Sequence, residues 1–197
     1  MTNPPVKNTP MMNSPVKMGH RRLPGDPTPA ERVARVIRVD QAGEYGARRI
    51  YEGQLAVLPR GPARSAVEHM AAQEARHLET FDKMMVERRV RPTALGPLWH
   101  VAGYALGAAT ALMGSKAAMA CTVAVEEVID EHYARQSAAL PESEDALKTT
   151  IETFRAEEIE HRDLGLAHGA AQAPAYPILT GAIKAGSRLA IWLAERF

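Results

Sequence analysis

Aromatic residues, cysteine, net charge and long apolar runs are all scarce in this chain, and each scarcity excludes something. Aromatics make up 5% of the 197 residues, which argues against a sheet protein, since strands draw on aromatic and β-branched side chains. A single cysteine, Cys121, excludes an intrachain disulfide and fits a reducing compartment. Within the apolar run "AMACTVAV" it reads as a buried structural thiol. A net charge of +1 gives no overall field to attract nucleic acid, so no nucleic-acid partner is expected. No run is long and apolar enough to read as a membrane span. No Gly-rich dinucleotide fingerprint occurs either. What remains is a chain rich in Ala, Met and long charged residues, 46% hydrophobic, and this composition suits packed helices around one sizeable core.

Residues 1–27 carry Pro, Asn and Lys without helical period and are expected to form a disordered tail. They have no acid before Asp26, a feature of organelle-targeting segments, but the prolines would break the amphipathic helix such a segment needs. The domain is expected over 28–197. At "TPAE" Thr28 can cap a helix, Pro29 suits its first position and Glu31 completes a capping box. Long helices then follow up to "PRGP", from about Ala63 to Arg88, from a Ser115 cap to Leu140, and from Ser143 to Gly169. A shorter helix, "PLWHVAGYALGAATALMG", lies between the second and third long ones, and "YPILTGAIKAGSRLAIWLAERF" closes the chain. The pattern predicts an all-α, ferritin-like four-helix bundle made of two antiparallel hairpins, with a crossover helix and an additional C-terminal helix.

Four stretches place ionisable residues on apolar helical stripes, where a lone buried charge costs several kcal/mol unless it is paired or metal-bound. Glu44 aligns with Ile37, Tyr51 and Leu55; Glu74 and His77 share a face with Met70 and Phe81. In "VEEVIDEHY" the face from Glu126 continues through Ile129 and Tyr133, whereas Glu127 leads to Asp130 and Glu131, the wet side. In "FRAEEIEHRD", His161 selects Glu158 on the face of Ile151 and Phe154, leaving Glu157 and Glu160 off that line. One Glu from each of two helices and Glu-x-x-His from each of the other two is the ligand set of di-iron and di-manganese carboxylate bundles. Glu44 to Glu74 spans thirty residues and Glu126 to Glu158 thirty-two, as expected for two related hairpins. Tyr133, two turns after Glu126, either lines this site or belongs to the core. Asp40 and Glu157 are candidates to support ligating imidazoles. His69, His100 and His168 lack matching carboxylates and read as structural or exposed.

The stretches "RVIRVDQAGEYGARRIYEGQLAVL", "AMACTVAVEEVIDEHY" and "FRAEEIEHRDLGLAHGA" resemble the demethoxyubiquinone hydroxylases, and the resemblance runs from about Glu31 to the C-terminus. It implies iron ligands at Glu44, Glu74, His77, Glu126, Glu158 and His161. It also implies hydroxylation of a polyprenylated benzoquinol with O2, with electrons from NADH or from the quinol itself. A ferritin-like ferroxidase would share the same six residues and is the alternative.

A polyprenyl substrate lives in a bilayer, and 98–113 and 178–193 are too apolar for the outer face of a small bundle. They are read as elements docking on a lipid surface, where Lys184 and Arg188 would meet headgroups. The alternatives are that they pack on each other as core or form a homo-oligomer contact through Gly103 and Gly107. The resemblance places the chain peripherally on the cytoplasmic face of a bacterial inner membrane, or else on the matrix side of the mitochondrial one. Partner proteins of ubiquinone biosynthesis belong to the same expectation.

Overall fold

The structure, a computed structural model, describes residue 23 and residues 25–197. The tail expected over residues 1–27 therefore lies almost wholly outside the described residues. Six α-helices follow: α1 (Pro29–Val57), α2 (Pro62–Glu87), α3 (Gly96–Leu112), α4 (Ser115–Ala139), α5 (Asp145–Ala167) and α6 (Tyr176–Ala194). No strand occurs among the described residues, and the chain is all-α.

Thr28 caps α1 as its sequence predicts: its hydroxyl accepts from the Glu31 N–H at 3.0 Å, and the Glu31 carboxylate accepts from the Thr28 N–H at 2.6 Å. The expected cap at Ser115 does not form. Gly114 holds that position with φ 110° and no side-chain bond, and Ser115 is already helical. The link from α3 to α4 is only residues 113–114, and a left-handed conformation in so short a reversal favours glycine. The opening of α5 also shifts, because Glu142–Glu144 form a 3-10 turn and the α-helix begins at Asp145.

α1 pairs with α2 and α4 with α5. α3 lies along α1 and α6 along α4, so each hairpin is followed by a helix that packs on its first member. The α1–α3 contact is close because glycines line it. A Cβ on Gly107 would collide with the Ile50 carbonyl, one on Gly53 with the Tyr104 carbonyl, and one on Gly103 would stand 2.9 Å from the Gly46 carbonyl oxygen. This overturns the reading of Gly103 and Gly107 as an oligomer contact: both face α1 of their own chain. α3 and α6 make no close backbone approach among the described residues, and their side chains come together only in clusters built on α1 and α4, Leu106 with Ile183 and Trp99 with Ile191. Lys184 and Arg188 are not left for headgroups either; they pair with Glu127 and Glu131 on α4.

Two apolar plugs close the bundle. One gathers Tyr51, Val67, Met70, Met119 and Val123, and the other gathers Ile37, Phe81, Tyr133, Leu147 and Ile151. The charged residues sit between them. α4 is the central element, with every residue from Ala117 to Glu126 buried.

Candidate metal centre

Glu44, Glu74, His77, Glu126, Glu158 and His161 are all buried, none more than 2% exposed. They converge from α1, α2, α4 and α5 into two overlapping groups. Glu44, Glu74, His77 and Glu158 form one, and Glu74, Glu126, Glu158 and His161 the other; within each group the ligand-type atoms lie within 4.8 Å of one another. Glu74 and Glu158 belong to both. His77 Nδ1 stands 3.1 Å from Glu158 Oε1 and 3.4 Å from Glu44 Oε2. His161 Nδ1 stands 3.1 Å from Glu158 Oε2 and 3.2 Å from Glu74 Oε1.

Both oxygens of Glu74, one each of Glu44, Glu126 and Glu158, and His77 Nδ1 make no hydrogen bond of ordinary geometry despite full burial, and their close polar neighbours are other members of the same groups. Buried polar atoms are otherwise almost always satisfied. Four carboxylates this close repel, and the protonation equilibria show it. Burial, reinforced by the charge of Glu158, pushes Glu74 and Glu126 well above the usual carboxylate range. Burial also opposes ionisation of Glu158, but His161 and His77 outweigh it and hold its pKa at about 2. Burial opposes the His77 imidazolium, yet the approach of Glu158 and Glu44 holds it up at about 10. Oxygen and imidazole ligand atoms in this ratio, turned toward one another, suit divalent metal ions.

The outer partners repeat the same two-fold order. Tyr51 donates to Glu126 Oε1 at 2.6 Å, and Tyr133 donates to Glu44 Oε1. Each tyrosine follows the glutamate of its own helix by seven residues and reaches the glutamate of the other helix. Tyr133 thus touches the centre, and so does Tyr51, which sequence reasoning counted only as a face residue; the repeated seven-residue spacing was the available signal. Burial, with the charge of Glu126 or Glu44, raises both phenols well above their ordinary value.

Two expected supporting contacts fall elsewhere. Glu157 Oε2 meets His77 Nε2 at 2.9 Å, not the histidine of its own helix. Asp40 touches no imidazole of the centre; it accepts from Gln136 at 2.7 Å and lies 3.4 Å from His132 Nε2. Burial raises its pKa, with His132 and Gln136 working against the rise. Gln73, unnoticed in the sequence, lies 3.0 Å from His161 Nε2. His69 and His100 are exposed and His168 bonds its own helix at Leu164 O, so none joins the centre.

Beside this centre an apolar groove of about 560 Å³ opens between α3 and α6. Ala47, Ile50 and Val125 of α1 and α4 form its floor, and Trp99, Leu106 and Ile183 stand on its walls. The large exposed apolar residues Leu98, Val101 and Leu112 lie on α3 and Ile178, Leu189 and Trp192 on α6. No helix among the described residues is long and apolar enough to cross a membrane.

An all-α bundle with buried Glu/Glu-x-x-His pairs on facing hairpins is a ferritin-like carboxylate–histidine protein. Within that class the relationships are specific. Residues 31–194 match the family described as ubiquinone biosynthesis protein COQ7, and the chain belongs to that family. It is 64% identical over 181 residues to the 3-demethoxyubiquinol 3-hydroxylase of Rhodospirillum rubrum, covering 91% of this chain and 85% of that protein. It is 55% identical over 168 residues to the human mitochondrial NADPH-dependent 3-demethoxyubiquinone 3-hydroxylase, covering 83% of this chain and 77% of the relative. The 5-demethoxyubiquinone hydroxylase of Saccharomyces cerevisiae mitochondria is 45% identical over 179 residues, with 82% and 77% covered.

Proposed function

We propose that the chain is a di-iron monooxygenase that hydroxylates the ring of a polyprenylated demethoxyubiquinol in ubiquinone biosynthesis. The observation that carries the reading is the pair of buried four-residue groups with unpartnered carboxylate oxygens. Glu44, Glu74, His77, Glu126, Glu158 and His161 would hold two irons, whose charge the carboxylates neutralise. Glu74 and Glu158 belong to both groups, so each would serve both ions. What the bound metal supplies is O2 chemistry: with an electron pair and two protons, one oxygen replaces the ring hydrogen as hydroxyl and the other leaves as water.

The rest is work for the protein. Tyr51 and Tyr133 fix the orientation of Glu126 and Glu44 by donating to one oxygen of each, leaving the other free for metal. The two apolar plugs keep bulk water from the centre. The groove suits an isoprenoid tail, since the Ser187 hydroxyl and the Trp99 indole N–H are the side-chain polar groups among its lining residues and the rest are apolar or glycine. Its floor includes Val125, next to Glu126, so a tail seated there holds the ring close to the centre. The exposed apolar residues of α3 and α6 flank the groove and support a peripheral position on a quinone-bearing membrane, the cytoplasmic face of the inner membrane in a bacterium. The names of the animal relatives support a reduced nicotinamide nucleotide as electron source. A ferroxidase would need the metal groups but has no use for this groove.

The test is loss and return of one product. Deleting the gene should make the demethoxy quinone accumulate, and the iron-loaded purified chain, given reductant and O2, should convert it to the species with one added oxygen. An unchanged quinone profile in the deletion strain would reject the assignment.

A further inference from the structure

The residue just before each Glu-x-x-His glutamate crosses to the histidine of the other hairpin. Gln73, before Glu74, faces His161; Glu157, before Glu158, faces His77. The two also meet each other, with Gln73 Nε2 3.3 Å from Glu157 Oε2. A carboxylate oxygen accepts, so His77 Nε2 and the Gln73 amide both donate to Glu157 Oε2, while both imidazoles turn Nδ1 toward the central carboxylates. That fixes the amide: Gln73 Oε1 accepts from His161, and its NH2 donates to Glu157. Glu157 Oε2 therefore collects His77 at 2.9 Å, Gln73 at 3.3 Å and Arg76 at 3.2 Å. One histidine is backed directly by a carboxylate, while the other reaches that charge only through a neutral amide. Arg76 is 62% exposed, so water screens much of its opposing charge.

We propose that Gln73 and Glu157 are positioning residues that make the two metal positions chemically unequal, His77 with its carboxylate partner holding the more tightly bound and more electron-rich ion. The inference rests on the di-iron reading of the centre. Its physical basis is that a hydrogen bond to a charged acceptor is roughly twice as strong as one to a neutral acceptor, and raises the basicity of the ligating nitrogen. The chain also couples the positions, because both imidazole N–H groups end, directly or through Gln73, on one oxygen.

The test is calorimetric titration of the metal-free full chain with Mn(II), alongside Mössbauer spectra of the diferrous protein. The wild type should take up two ions in separate steps and show two distinct iron environments. Glu157→Gln keeps the shape and removes the charge; it should weaken the tighter step by about 10-fold or more and draw the two iron signals together. The exchange Gln73→Glu with Glu157→Gln restores the charge on the other side and should restore two separated steps, which no merely structural role would do. Two equal steps in the wild type, equal weakening of both by Glu157→Gln, or an exchange variant that stays like Glu157→Gln would each overturn the inference alone. A wild-type chain that takes up no metal would overturn the metal-centre reading and this inference with it.

Discussion

The hairpins α1–α2 and α4–α5 supply matching sets to the centre: Glu44, Tyr51, Glu74 and His77 from one, Glu126, Tyr133, Glu158 and His161 from the other. Their surroundings do not match. Tyr51 lies against Met70 Sδ at 3.8 Å and a cluster of Ala, Val and Met, whereas Tyr133, packed among Ile37, Phe81, Leu147 and Ile151, also adjoins His132 of the polar group Asp40, His132 and Gln136. The third helices differ too, α3 meeting α1 through glycine backbones and α6 reaching α4 through two ion pairs. Holding two ions would require like donors on both sides, and the geometry is repeated at those residues. Nothing requires like surroundings, and there the halves differ: one tyrosine has an apolar surround alone, the other an apolar surround with a polar group at its edge.

The sharpest way to break this comparison is to separate shared from unshared carboxylates. Glu74→Ala or Glu158→Ala removes a residue common to both groups. Either should abolish metal uptake and lower turnover by more than the about 10–100-fold typical of outer partners. Glu44→Ala and Glu126→Ala each touch one group and should leave close to one ion per chain. Metal analysis of the four variants decides it; one retained ion in Glu158→Ala would show that the groups do not overlap as described.

The tyrosines come next. Tyr51→Phe and Tyr133→Phe each strip a buried glutamate of its hydrogen-bond donor, at a cost of about 1–3 kcal/mol. Tyr133→Phe should be the milder, because the polar group of Asp40, His132 and Gln136 lies on that side, whereas beyond the centre Tyr51 has Met70 Sδ as its further polar neighbour. Chemical denaturation of both variants measures the difference, and a larger loss for Tyr133→Phe would remove the distinction between the two surrounds.

The third helices can be probed through the groove. Gly186 lines it, and a Cβ there meets nothing within 4 Å. Gly186→Phe should fold normally, gaining slightly in helix propensity, while turnover of a long-tailed quinol falls by about 10-fold, roughly 1.4 kcal/mol of binding. A short-tailed analogue should be converted nearly as before. An equal loss for both substrates would place the tail elsewhere.

Proton linkage gives a smaller effect with a definite sign. In the metal-free chain His77 is raised from 6.5 to about 10, and Glu74 and Glu126 are raised from 4.5. Above those ordinary values the folded chain keeps protons that the unfolded chain has released, so stability falls as pH rises. Glu158, lowered to about 2, acts in the opposite direction only below the ordinary glutamate value. The midpoint temperature of the metal-free protein should therefore drop by roughly a few degrees from neutral to alkaline pH. The metal-loaded protein should not follow, because binding has already displaced those protons. Parallel slopes would argue that the centre takes no metal.

The fold class and the six central residues were legible because a 3.6-residue period carries apolar neighbours with each inward charge. Glu126 could be chosen over Glu127 by Ile129 and Tyr133, even though α4 is buried nearly all round. What crosses between helices was not legible. One-turn logic tied Glu157 to His161 on its own helix, but tertiary placement gives it His77. The glycines of α3 marked a small face without saying what would meet it, and the charges of α6 gave no hint that Glu127 and Glu131 stand opposite. Tyr51 was within reach, since it repeats the spacing of Tyr133.

The finest test lies within one turn of α5, where three glutamates of equal charge have three surroundings. Glu158 is fully buried and common to both groups, Glu157 turns sideways to His77, and Glu160 is exposed. Glu160→Ala should change stability by less than about 0.5 kcal/mol and leave metal content and turnover unaltered, against complete loss for Glu158→Ala. The contrast isolates helix phase, because composition and local sequence are shared by all three positions. If Glu160→Ala lowered metal uptake, the hairpin α4–α5 would be presenting a different face from the one that matches α1–α2, and the two-fold order of the centre would fail with it.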